Sequence, residues 1–197
     1  MKKNKLLKIL LISFVLLFFL NTYNVFLNII VGDYYSKKAQ NYLLIDCSKS
    51  IKYSLKSNFY NKNIKNNYYN IAFCIDKLNS QKNINTTNIA LDYLNYGYNL
   101  EPNDLQYIRD SLNVYKIILI NNPDIVDIYN TSNENLYKNT ISFFTLLKNK
   151  YSNNLGLLID IYDIENNLNL KNEMEVTKLL ILKNRPDVFN WEPRLIN

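Results

Sequence analysis

The stretch Asn88–Asp124, NIALDYLNYGYNLEPNDLQYIRDSLNVYKIILINNPD, decides the fold. Within it Ala90, Leu94, Gly97 and Pro102 follow a small, large, small, proline order. Small residues let a neighbouring helix approach, the large one fills the groove between ridges, and proline ends the helix so that the chain can fold back. The segment Glu101-Pro102-Asn103-Asp104 stops one helix and starts the next, with Asp104 placed where the helix dipole favours a negative charge. Leu105, Ile108, Leu112, Tyr115 and Leu119 then repeat at three and four residues, the signature of an amphipathic helix. Two antiparallel helices joined by a short turn are the expected result.

The same pattern extends outward. Tyr34–Leu44 with Cys47–Tyr60, and Asn67–Leu78 with Thr86–Asn99, read as two further helix pairs, with Thr86 or Thr87 as N-cap of the last helix. Asp104–Ile120, Asn133–Lys150, Leu155–Leu168 and Asn172–Lys183 complete the set, and the segments around 61–65, 80–85 and 121–131 read as polar loops. No strand pattern survives, so the chain is all-α. The spacing of Ala90, Leu94, Gly97 and Pro102 matches the second helix of a tetratricopeptide repeat. The frame also fits Ser50, Ser54, Ser57 and Lys62, then Asn139, Phe143, Leu146 and Tyr151, and last Met174, Lys178, Ile181 and Pro186. Tyr151 to Pro186 spans 35 residues, close to the repeat period of about 34. The two inner intervals are longer and carry insertions. The expected architecture is an α-solenoid of degenerate helix pairs over residues 33–190, followed by a tail at 191–197 whose Trp191 covers the last pair.

Upstream, residues 9–32 carry no charge, and such a helix is long enough to cross the roughly 30 Å hydrocarbon core of a bilayer. Residues 1–8 form a basic tip. The run ILLISFVLLFFL behind it also fits a signal peptide, but NTYNVFLNIIVG offers no small-residue cleavage site and stays apolar, which favours an uncleaved membrane helix. Lysines ahead of the helix orient the N-terminus inward and place the helical domain on the outer side of the cytoplasmic membrane. Asn21, Asn24 and Asn28 share one face of this helix, a stripe suited to a partner helix, although Asn is frequent throughout and water reaches the outer interface.

Composition removes most chemistry. The 197 residues include no His, so the usual general base and the commonest transition-metal ligand are missing. Three Gly are too few for a phosphate-binding glycine loop. Of the net charge of +6, Lys2, Lys3, Lys5 and Lys8 supply most, so the folded part lacks the basic surface that nucleic acid requires. Cys47 and Cys74 can pair, but their spacing does not require it, and they read best as two small buried hydrophobes. Asp160, Asp163 and Glu165 read as a solvated face, since one helix offers too few converging oxygens for a divalent cation. Asp104 and Asp110 read as lying on opposite sides of their helix. Tyr68, Tyr69, Phe73, Tyr93, Tyr96 and Tyr98 fit core and inter-repeat packing better than a ligand groove. No catalytic residue, metal site or cofactor is expected.

The order of features, a basic segment, an apolar helix, Gly32-Asp33-Tyr34-Tyr35 and then degenerate helix pairs, resembles the C-terminal end of bacterial O-antigen ligase or polymerase-like membrane proteins. The resemblance runs from Leu6 to Arg194 and is best at Asp33 and over residues 90–104. It implies a membrane-attached, tetratricopeptide-like region in cell-surface polysaccharide assembly. The many upstream membrane helices of that family and its sugar-handling basic loops are not in this chain, so no catalytic residue carries over. Two expectations follow. One is a membrane-anchored scaffold that recruits a protein partner, including a multi-span membrane protein. The other is the non-catalytic C-terminal part of a split or truncated ligase-like protein.

Overall fold

A computed structural model describes residues 2–79, 84–120 and 134–195. Among these the chain is helical, without strands: α1 Lys2–Tyr42, α2 Cys47–Tyr60, α3 Lys65–Leu78, α4 Ile84–Leu100, α5 Leu105–Ile120, α6 Glu134–Lys150, α7 Leu155–Asn167 and α8 Lys171–Asn184. Two short 3-10 turns, Val188–Asn190 and Pro193–Leu195, follow. The expected loop at 121–131 and residues 80–83 of that at 80–85 lie outside the described residues, while Ile84 and Asn85 belong to α4. Thr86 and Thr87 lie inside α4, which begins at Ile84, so neither is its N-cap; Thr87 is buried instead.

The largest departure from the sequence reading is at the start. No break separates a membrane helix from a first domain helix: residues 2–42 form one helix of 41 residues. Gly32 and Asp33, which read as a boundary, sit inside it. Nothing there interrupts the backbone hydrogen-bond ladder, because the stretch contains no proline and its glycine keeps a negative φ.

The lower part of α1 turns a small-residue edge toward α2. Gly32, Ser36 and Ala39 are buried against Ser50, Ser54 and Ser57. Ser50 Oγ donates to the Ala39 carbonyl at 2.9 Å and Ser57 Oγ to the Gly32 carbonyl at 2.7 Å. Small residues bring the helices close enough for these hydroxyls to reach backbone, each contributing on the order of 1 kcal/mol. Asn67 on α3 extends the relay, donating to Ser57 Oγ at 2.7 Å. Cys47 and Cys74 form a disulfide between α2 and α3. The free-thiol expectation is thereby corrected: both residues are buried, and the proximity of two helices 27 positions apart in sequence pairs them.

From α3 onward two apolar clusters form most of the interior. One cluster joins α3 to α7 through Leu94, Ile108, Tyr115, Phe144 and Leu157, and a second joins α7 and α8 through Leu158, Tyr162 and Ile181. Val188 and Leu195 belong to the second cluster and cover the last helices. Trp191 does not take that role: it is half exposed, with Arg185 over its ring. Sequential helices pack in order from α1 to α4, and α7 packs on α8. The odd-numbered helices also touch in series, α1 on α3, α3 on α5 and α5 on α7.

Candidate functional site

The small, large, small frame on α4 is buried. Ala90 and Leu94 have no exposed surface. Gly97 is pinned, since a Cβ there would lie 1.9 Å from Tyr107 Oη and 3.2 Å from Tyr68 Cβ. The Tyr107 hydroxyl crosses this gap to donate to the Leu94 carbonyl at 3.2 Å. Ser50, Ser54 and Ser57 occupy matching buried positions on α2. On α6 the frame is one residue later than expected. Asn139 and Leu146 are exposed, while Thr140, Phe144 and Leu147 are buried, with only Phe143 shared by both faces. On α8 Ile181 is buried, Met174 and Lys178 are half-buried, and Pro186 is exposed.

Pro102 closes α4 as its residue type dictates, and its carbonyl accepts from Tyr151 Oη and Lys150 Nζ, each at 2.7 Å. The same device recurs at neighbouring turns. The Lys62 carbonyl accepts from Tyr68 Oη at 2.9 Å, and the Ser152 carbonyl accepts from Asn184 Nδ2 at 2.6 Å. Carbonyls in the turns just beyond α2, α4 and α6 are thus satisfied by side chains from later in the chain.

The odd helices line a groove of about 470 Å³. Gln40 and Leu43 come from the end of α1, Lys65, Asn66, Tyr69 and Asn70 from α3, and Asp104, Gln106, Tyr107 and Asp110 from the start of α5. Lys65 is shared by Glu101 and Asp104. Desolvation works against the Lys65 charge, but hydrogen bonds to the two carboxylates outweigh it and hold the ammonium above its ordinary range. Asp104 is held below the ordinary carboxylate range, first by Lys65 and then by the Tyr107 N–H, which its Oδ1 accepts at 3.0 Å. Glu101 and Asp104 thus meet one shared cation at the turn.

Asp110 opens on the same groove as Asp104, which corrects the opposite-sides reading. It accepts from Gln106 Nε2 at 3.0 Å, and among the described residues no Lys or Arg pairs with it. Beside it Tyr69 is pushed up by burial and by the Asp110 charge. Asn70 is 2% exposed, yet its Nδ2 has no hydrogen-bond partner. A buried amide donor left open is costly, of order 1–3 kcal/mol, and calls for an acceptor. Sequence reasoning missed Asn70 because Asn is so abundant here that no single one stands out. The tyrosines divide: Tyr68 and Tyr98 are buried, Tyr69 lines the groove, and Tyr96 is half exposed against Tyr68 at 4.7 Å between ring centres. Burial lifts Tyr68 to about 12.

The acidic trio on α7 is not a solvated face. Glu165 is fully buried, its Oε1 accepting from Lys148 Nζ at 2.9 Å and its Oε2 from Thr177 Oγ1 at 2.6 Å. Desolvation pushes Glu165 up despite these bonds. Asp160 pairs with Arg194 at 2.7 Å and Asp163 with Lys116. These contacts tie α5, α6, α8 and the C-terminal turn to α7. Among the described residues no cluster of three or more acidic, Cys or His side chains is arranged to hold a metal ion.

Asn21, Asn24 and Asn28 are exposed along α1, among Phe19, Tyr23 and Phe26. This helix is long and apolar enough to cross a membrane, and none of its apolar stretch is buried by the rest of the chain. No protein-family model matches the chain, and no match is found among curated proteins or solved structures.

Proposed function

We propose that the protein is a membrane-anchored, tetratricopeptide-like scaffold, held by α1 on the outer side of the cytoplasmic membrane, that binds an extended segment of a partner in the α1–α3–α5 groove. The observation that carries this reading is the unpartnered, buried Asn70 amide in a groove that the Asp110 carboxylate also lines and that three successive odd helices build. A peptide carbonyl satisfies the amide, and a basic side chain satisfies the carboxylate across the Tyr69 ring. The serial contacts of odd helices and the recurring closure of carbonyls at 62, 102 and 152 support the repeat reading. Lys2, Lys3, Lys5 and Lys8 at the start of α1 support the outward orientation, as does the Cys47–Cys74 disulfide, since such bonds persist in oxidising compartments.

The test uses the full chain in nanodiscs, titrated with extended peptides that differ only in carrying Lys, Gln or Glu at one position. The Lys peptide is expected to bind best, and Asp110→Asn or Asn70→Ala to weaken it by about tenfold, the loss of one charge-assisted contact. Equal binding of all three peptides, or indifference to both substitutions, overturns the reading. A multi-span partner, such as the ligase-like proteins the chain resembles, is favoured by one observation, the exposed Asn stripe on α1. Crosslinking from this face is expected to capture such a helix, and replacing Asn21, Asn24 and Asn28 with Leu to abolish capture. Unchanged capture removes the helix-partner idea.

A further inference from the structure

We infer that the turn between α2 and α3 rests on the membrane surface, with Phe59 inserted among the lipid head groups. The inference rests on the reading that α1 crosses the bilayer. Its geometry follows from two observations. First, α1 continues without interruption into the domain, so the height of any α1 residue above the membrane is set by counting along the helix. From Lys8 to Gly32 the helix rises about 36 Å at 1.5 Å per residue, which exceeds the roughly 30 Å hydrocarbon core but not the 40–45 Å bilayer with its head groups. Gly32 therefore falls in the outer head-group layer. Second, α2 runs back down α1, as the pairings Ser50 to Ala39 and Ser57 to Gly32 show, and ends against Gly32 itself. A Cβ on Gly32 would lie 2.7 Å from Asn61 Cβ, so the turn at Asn61 shares its height.

The residues at this height match that layer. Phe59 is 80% exposed. Its ring meets Tyr60 edge to face at 5.2 Å, and Tyr60 stacks on Tyr35 at 6.0 Å, forming an aromatic group at the level where membrane proteins place such rings. Lys56, over the Tyr35 ring at 4.3 Å, and exposed Lys62 flank it with positive charge at the depth of lipid phosphates. The occupant of this face is the outer leaflet. A second contact beside the anchor stops the domain from swivelling and holds its groove at one angle to the membrane.

The experiment exploits the single tryptophan of the chain, Trp191, which is removed so that each variant carries one reporter. In a Trp191→Phe background, Phe59→Trp and Phe26→Trp are each placed in nanodiscs whose lipids carry bromine near the glycerol end of the acyl chains. Both tryptophans are expected to lose emission relative to the same variants in nanodiscs of unbrominated lipid. Quenching at 26 with none at 59 overturns the inference and leaves the membrane helix standing. Quenching at neither position overturns both. Because Phe59 is exposed, its replacement leaves the packing untouched, and the Cys47–Cys74 disulfide provides a check on folding in each variant.

Discussion

Gly97 shows what a single residue settles in this fold. Its missing side chain is the space through which Tyr107 reaches the Leu94 carbonyl. Gly97→Ala drives a methyl into that phenol, and overpacking of this kind costs about 1–3 kcal/mol, to be read as a lower urea midpoint at unchanged slope. Asn70 is the opposite case. Its open amide burdens the folded state, so Asn70→Ala is expected to raise stability by about 1 kcal/mol while weakening peptide binding. A loss of stability would show that the amide is satisfied within the chain. Gly97 was legible in the sequence because glycine is scarce and its distance to Pro102 is distinctive. Asn70 was not, since hydropathy cannot separate a buried amide from the many exposed ones around it.

At the scale of elements, helix positions were readable because apolar periodicity and Asn-rich turns alternate cleanly; α2 and the end of α5 fall where the pattern puts them. The frame on α6 slipped by one residue. Asn139 and Thr140 are both polar, and Phe143 and Phe144 are both large, so burial there depends on tertiary packing that the local pattern does not encode. Glu165 was misread for a related reason: its partners Lys148 and Thr177 lie on other helices. Removing the lysine with Lys148→Met strands the buried carboxylate and is expected to cost about 3 kcal/mol at neutral pH, by chemical unfolding. Burial already holds the folded-state Glu165 above its ordinary 4.5, and the substitution raises it further. A raised carboxylate destabilises the fold as pH rises through this window, so the defect should shrink on acidification as Glu165 takes up its proton. The double substitution Lys148→Met with Glu165→Leu should recover most of the loss, because Thr177 keeps its bond to the Glu173 carbonyl at 3.0 Å. Persistence of the full defect at acid pH would contradict this account of the pair. The disulfide acts on the same scale. It closes a loop of 27 residues, so Cys47→Ser with Cys74→Ser should lower stability by about 3 kcal/mol in calorimetry, and reductant should reproduce the effect.

At the scale of the molecule, the decisive feature is that the apolar stretch, long enough to cross a membrane, and the first helix of the domain are one helix. The sequence pattern marks the apolar run and the helices beyond it, but a charged Asp33 after Gly32 reads as a boundary. It is the burial of Gly32, Ser36 and Ala39 under α2 that joins them. A chain cleaved after Gly32 would lose the carbonyl to which Ser57 Oγ donates, the end of the relay that Asn67 feeds through Ser57. The most direct test is the intact mass of the protein recovered from the membrane fraction of its native host. The expected result is a full-length, carbonate-resistant chain that retains residues 1–32 and carries an oxidised Cys47–Cys74 pair. A soluble species beginning near residue 22 or 33 would contradict it.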